Sequence, residues 1–382
     1  MKETIIKLTK SAFKNEIYQD PFTDEKAVFK ALYDQGLTAL TFNVINKDMV
    51  SKHFYERSEL VLMSYIKKDL IQQEMIKIIK TLLNEIEVDH IFLKGAHLKK
   101  LYKESYYRGM GDIDFIVREK DYKRVHKLFL KNNFKLYTKG PTHYVYLYKE
   151  SNLVEVHHTL KRTSDLNINT LFSRTWEFAS QKDNHEYMLD PTFELTYLVE
   201  HLSKHIQSSG VGIRSVLDIS IFYDHYYDSI DHEKLHDFLK ETNHETLLYK
   251  MLLLNNKAFG FESIIDENLY SLSNEEYNTL IDYFLLSGIH GTGEAFNFMA
   301  PRAAKKSKLK TLLTIMFPSW TAMKEMYPFL RYIPILLPFM WVWRWLKLLI
   351  FNARRTFGKV KQLKDSDEAS KSMKEVYDIL DL

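Results

Sequence analysis

Arg108-Gly109-Met110-Gly111-Asp112-Ile113-Asp114-Phe115-Ile116-Val117 is the stretch that decides the fold. Its second half alternates, and a strand places residues i and i+2 on the same face. Asp112 and Asp114 therefore point together to one side, and Ile113, Phe115 and Val117 to the other. Two adjacent carboxylates repel unless a cation neutralises them. Mg²⁺ is the expected cation, because it takes hard oxygen ligands and shares them with substrate phosphates. The stretch thus predicts a strand that carries a metal-dependent phosphate-transfer site.

Working outward, 88–93 is a short apolar run with strand character that ends at Lys94-Gly95, and 96–103 reads as a helix. Residues 121–133 form a helix with Val125, Leu128 and Phe129 on one face and Asp121 as N-cap. Residues 144–148 and 153–160 alternate like strands, joined by a turn at 149–152. In the second of them Val154, Val156 and Leu160 share one face, and Leu153, Glu155 and His157 the other. A glutamate in so apolar a strand needs a partner. A two-metal transfer site needs a third carboxylate, and Glu155 is the candidate.

Before this unit, residues 51–87 repeat Leu60, Met63, Ile66, Leu70, Met75, Ile79, Leu82 and Ile86 at spacings of three to five, which predicts one amphipathic helix or two in series. After it, Asp190-Pro191 opens a helix with Asp as N-cap and Pro at the first position. Helical patterning then runs to about residue 300. The expected organisation is α+β: an N-terminal helical region (1–87), a small mixed-sheet core (88–190), a helical domain (191–301), and a basic linker with an apolar, amphipathic tail (302–382).

Composition narrows the function classes. Of 382 residues, 45% are hydrophobic and 27% charged, as in a folded soluble protein. A net charge of +3 is too small to point to nucleic acid as a partner. The absence of cysteine excludes disulfides and cysteine-based zinc sites and fits a cytoplasmic protein. Met1-Lys2-Glu3-Thr4 lacks the apolar core of a signal peptide. The uncharged run 332–343 is only twelve residues long, between Arg331 and Arg344. A span needs roughly 20 apolar residues. The segment 315–351 is instead expected to bury against the protein or a second subunit, or to lie in a membrane surface.

Taken together, Leu93-Lys94-Gly95, Leu101-Tyr102, Arg108, Asp112-Ile113-Asp114-Phe115-Ile116-Val117 and Val154-Glu155-Val156-His157 resemble the nucleotidyltransferase superfamily that includes DNA polymerase β. More narrowly they resemble its bacterial branch of uncharacterised nucleotidyltransferases. The resemblance implies a mixed-sheet nucleotidyltransferase core with Asp112, Asp114 and Glu155 as metal ligands. It implies Mg²⁺, with Mn²⁺ as the alternative, and a nucleoside triphosphate whose nucleotidyl group passes to a hydroxyl of a sugar, peptide or protein. Many members have Gly-Ser where this chain has Lys94-Gly95-Ala96.

Lys94 and Arg108 are then the candidate phosphate ligands, with Gly95 and Gly111 beside them. The bland alternatives are a surface lysine and an ion pair of Arg108 with Asp112 or Asp114. His157 is a site candidate against a hydrogen-bonded structural histidine. His201 and His205 lie at i, i+4, as do Arg214 and Asp218, and the narrower family's pattern places all four along the cleft, against simple packing between domains. Zinc is not expected, since 201–205 lacks the glutamate of a zinc protease. The competing function is a catalytically inactive nucleotide-binding protein, or a membrane-surface accessory protein of polysaccharide or peptide modification.

Overall fold

A computed structural model describes residues 1–149, 152–160, 165–266, 268–288, 313, 316–351 and 367–382. The expected basic linker at 302–310 lies outside the described residues, as do 150 and 151 of the expected turn.

The chain is α+β, built on one seven-stranded mixed sheet of order β3-β4-β5-β2-β1-β7-β6. Its strands are β1 (His90–Phe92), β2 (Asp112–Val117), β3 (Lys135–Lys139), β4 (His143–Tyr148), β5 (Asn152–His157), β6 (Ala179–Asp183) and β7 (Glu186–Leu189). β2 lies near the centre, antiparallel to β1 and parallel to β5. The register sets Asp112 opposite Leu153 and Asp114 opposite Glu155. Paired residues project to the same side of a sheet, so the β2 carboxylates and Glu155 share one face.

Helices α1 (Lys2–Lys14), α2 (Glu25–Asp34) and α3 (Thr38–Thr41) precede the sheet in the chain, and α5 (Gly95–Leu98) and α7 (Leu166–Ser173) fall between its strands. The other face of the sheet is apolar. Ile113, Phe115 and Val117 join Val154 and Val156 against Val125 and Phe129 of α6 (Tyr122–Lys131) and Met75, Ile79 and Leu83 of α4 (Lys52–Glu85). Asp121 precedes α6 but does not cap it. Its carboxylate accepts instead from Arg124 Nη1 at 2.6 Å. α4 is one helix, capped by Ser51, whose hydroxyl accepts from Phe54 N. Its second half buries Met75 and Ile79 as expected, but Leu60, Met63 and Leu70 are exposed. The buried stripe there runs through Phe54, Ser58, Leu62, Asp69 and Gln72. A polar network at Asp69 and Gln72 rotates the inward face away from the hydrophobic repeat.

The carboxylate face is covered by α8 (Pro191–Ser208). Asp190 caps it by accepting from Thr192 N and Phe193 N, with Pro191 at the first position. Phe193 and Tyr197 pack with Ile116, Ile91 and Leu93 on the sheet. Positions four apart stack on one helical face, so His201 and His205 continue this line past the apolar contact and over the carboxylates. α9 (Ile213–Tyr226) packs on α8, and α10 (His232–Thr242), α11 (Glu245–Phe259) and α12 (Asn274–Ser287) extend the helical layer. The C-terminal helix, Asp367–Leu380, buries Met373, Val376, Tyr377 and Leu380 against α11 and α12.

Among the described residues no helix is long and apolar enough to cross a membrane. The helix Leu337–Phe351 docks Trp341 and Trp345, whose indole N–H groups donate to the carbonyls of Pro318 and Met316. Its Phe339, Val342, Trp343 and Leu346 are exposed.

Candidate active site

A cavity of about 710 Å³ separates the carboxylate face of the sheet from α8 and α9. Its lining includes Lys94, Gly95, Arg108, Gly111, Asp112, Asp114, Glu155, His201, His205, Arg214 and Asp218. Of the residues singled out in the sequence only His157 lies outside this lining. It is buried beneath the floor, where Nε2 is 3.0 Å from Asp114 Oδ1 and 3.4 Å from Glu155 Oε2.

The floor is electrostatically crowded. Burial, then the charges of Asp114 and Glu155, push the Asp112 carboxyl up to about 6. Burial also pushes Asp114 up, but the Lys94 charge and the His157 hydrogen bond outweigh it and hold Asp114 well below the ordinary carboxylate range. Glu155 is likewise lowered, its burial outweighed chiefly by the His157 hydrogen bond. Oxygens of Asp114 and Glu155 and a ring nitrogen of His157 lie within 4.8 Å of one another. Two carboxylates and an imidazole, with a third carboxylate destabilised beside them, are a donor set that fits a divalent cation.

Two candidates for phosphate contact are already engaged. Lys94 Nζ donates to Asp114 Oδ1 at 3.0 Å. Arg108 does not pair with Asp112 or Asp114. Its guanidinium forks onto Asp218 of α9, Nε to Oδ1 and Nη2 to Oδ2, both at 2.8 Å. Tyr102 O–H adds a third bond to the same carboxylate. This interaction ties the loop before β2 to the helical layer.

A Cβ on Gly95 would stand 2.7 Å from Met110 Cγ and Sδ, so a larger residue there would have to displace the Met110 side chain. A Cβ on Gly111 meets open space, so the cavity passes directly over the backbone that delivers Asp112. The helix after Lys94 is only Gly95–Leu98 before it tightens to a 3₁₀ turn, shorter than the 96–103 expected.

Sequence reading missed His143 and Lys204. His143 pairs across from His157 and sits 3.9 Å from Glu155 Oε2 at the cavity wall. Starting β4 one residue earlier would have placed it there. Lys204 carries no signal beyond its charge. His201 and His205 come together, with their Nε2 atoms 3.2 Å apart.

A family model described as "Uncharacterised nucleotidyltransferase" matches residues 23–260. This chain belongs to that nucleotidyltransferase family. The match spans the helices from Glu25 onward, the sheet, α8, α9, α10 and α11, and so every residue named above as lining the site. No curated protein matches the chain. A solved structure, an antigenic nucleotidyltransferase-like protein from Paracoccidioides brasiliensis, is similar at 15% identity over 51% of this chain and 92% of that chain, with a TM-score of 0.28. A likeness of that degree carries no weight for the site.

Proposed function

We propose that this nucleotidyltransferase is divalent-cation-dependent and moves a nucleoside monophosphate from a nucleoside triphosphate to a hydroxyl of a sugar, peptide or protein. The observation that supports this most is the convergence of Asp112, Asp114 and Glu155 at the floor of one cavity, with His157 beneath them against Asp114 and Glu155. Asp112, Asp114 and Glu155 would hold the cation, Mg²⁺ or Mn²⁺, with His157 orienting Asp114. When bound, the cation supplies charge neutralisation for the phosphoryl oxygens.

The residues do the rest. The acceptor oxygen forms a bond to the α-phosphorus as the bond to the β-bridging oxygen breaks, and pyrophosphate leaves. Glu155, held ionised by His157 and open to the cavity, takes the hydroxyl proton. Lys94, once released from Asp114, meets the charge that develops on the α-phosphoryl oxygens. α8 covers the floor and limits water.

The test is incubation with labelled nucleoside triphosphates, Mg²⁺ or Mn²⁺, and candidate hydroxyl acceptors. Metal-dependent labelling that vanishes in Asp112→Ala/Asp114→Ala is expected; no release of pyrophosphate with any nucleotide would favour the inactive nucleotide-binding alternative. The exposed apolar side chains of Leu337–Phe351 favour a peripheral membrane contact alongside this activity. Flotation with anionic liposomes, lost in Phe339→Ser/Trp343→Ser, would support that contact, and failure of the wild type to float would remove it.

A further inference from the structure

We propose that Arg214 on α9 holds the two phosphates that leave as pyrophosphate, in place of the turn after β1 that the superfamily uses. The inference rests on the nucleotidyl-transfer reading of the same cavity. It starts from how the cations of the cavity are engaged. Lys94 is committed to Asp114. Arg108 is committed to Asp218. The turn at Lys94-Gly95-Ala96 lacks serine and opens a helix only four residues long.

Arg214 differs from both. It is 8% exposed, yet its Nε is buried with no hydrogen-bond partner, and no carboxylate lies within ion-pairing distance among the described residues. Asp218, one turn further along α9, has both oxygens on Arg108, with a further bond from Tyr102. Burial, then the neighbouring Arg108, disfavours the charged form of Arg214. The Asp218 charge offsets this only in part, and a buried guanidinium without a hydrogen-bonded counter-charge is costly to the free protein. Arg214 lines the large cavity and a second one of about 220 Å³ beside it. A guanidinium matches a phosphate as a two-pronged donor. His201, His205 and Lys204 stand on the same wall, opposite the carboxylates. A triphosphate whose α-phosphate sits over the floor would extend its tail toward this wall.

The experiment is calorimetric titration with tripolyphosphate, free of nucleoside, on wild type, Arg214→Met, Arg214→Lys and, as the charge control, Lys77→Met, an exposed lysine of α4 outside the cavity, with thermal melts of each unliganded protein. Arg214→Met should weaken binding at least about tenfold, Arg214→Lys should restore part of it, and Lys77→Met should keep wild-type affinity. Unliganded Arg214→Met should melt no lower than wild type, because it sheds a desolvated charge. Unchanged affinity in Arg214→Met, or no binding by the wild type, overturns the inference. A lower melting temperature in Arg214→Met together with lost binding also overturns it, because it marks a structural arginine. If Arg214-dependent binding is found but no nucleotidyl transfer occurs with any triphosphate, the anion site stands and the reaction assigned above falls.

Discussion

Lys94 Nζ and Asp114 Oδ1 are 3.0 Å apart, on a side chain whose backbone is held at φ 46°, ψ −113°. That conformation is sparsely populated for a residue with a Cβ and costs on the order of 1–3 kcal/mol. The strained turn places an ammonium where a divalent cation would neutralise the same carboxylate. Lys94 would therefore compete with a divalent cation for this carboxylate in the unliganded protein. Replacing it with methionine removes the competitor, so Lys94→Met should bind Mn²⁺ more tightly, by roughly tenfold, while turnover falls. Calorimetry with Mn²⁺ alone reads the first effect; equal or weaker affinity would show that Lys94 does not occupy the cation's place.

The carboxylates themselves give the second prediction. Asp114 is 5% exposed and bonded to both Lys94 and His157. Asp114→Asn keeps the shape and removes the charge, and turnover should drop on the order of 10³-fold. Stabilisation by Mn²⁺ in a thermal melt should disappear with it. Glu155→Gln should lose turnover but keep part of the metal effect, since Asp112 and Asp114 remain. Full Mn²⁺ stabilisation in Asp114→Asn would place the metal elsewhere.

Much of this site could be read in the chain because strand alternation carries two messages at once. In β2 and β5 one face must be apolar for α4 and α6, so the residues left on the other face, Asp112, Asp114, Glu155 and His157, declare themselves. The edge strands gave no such signal. β3 is exposed along its whole length, and β6 along nearly all of it, so neither needs an apolar face. α4 misled in its first half because its buried face carries Asp69 and Gln72, which a hydrophobic repeat cannot report. Arg108 was recognisable as important, but its partner lies 110 residues away in the sequence. Only the packing of α9 against the loop reveals it.

The raised Asp112 carboxyl gives a pH dependence with a definite sign. Its ordinary value is 3.8 and the fold moves it to about 6. Between these values the folded state keeps a proton that the unfolded chain has lost. The stability this contributes is complete below about pH 4 and is lost as pH rises through about 6. Asp114 and Glu155 are lowered and run the other way, their contribution present at neutral pH and lost on acidification. The comparison with Asp112→Asn isolates the first effect. In chelating buffer the wild type should lose at most about 3 kcal/mol relative to that variant from about pH 4 to pH 7. Urea midpoints across this range measure it, and parallel curves would refute it.

The loop that delivers Asp112 hangs from a buried ion pair between α4 and the 3₁₀ turn that follows Leu98. Asp69 and Lys99 are 4% and 3% exposed and pair directly. Ser105 O–H donates to Asp69 Oδ2 at 2.7 Å, Lys99 reaches Gln72 Oε1 at 3.3 Å, and Gln72 Nε2 donates to the Met110 carbonyl at 3.0 Å. Burial lowers the Lys99 ammonium, and only the Asp69 contact offsets it. Asp69→Ala leaves that ammonium buried and unpaired, so it should destabilise by about 3–5 kcal/mol. Asp69→Leu with Lys99→Met removes both charges at similar volume and should recover most of the loss. The double variant keeps the Gln72 bond to Met110 but loses the Ser105 tether. Its Mn²⁺ affinity should therefore remain below wild type even where its urea midpoint returns. Recovery of both together would mean that the ion pair supports the fold without positioning the loop.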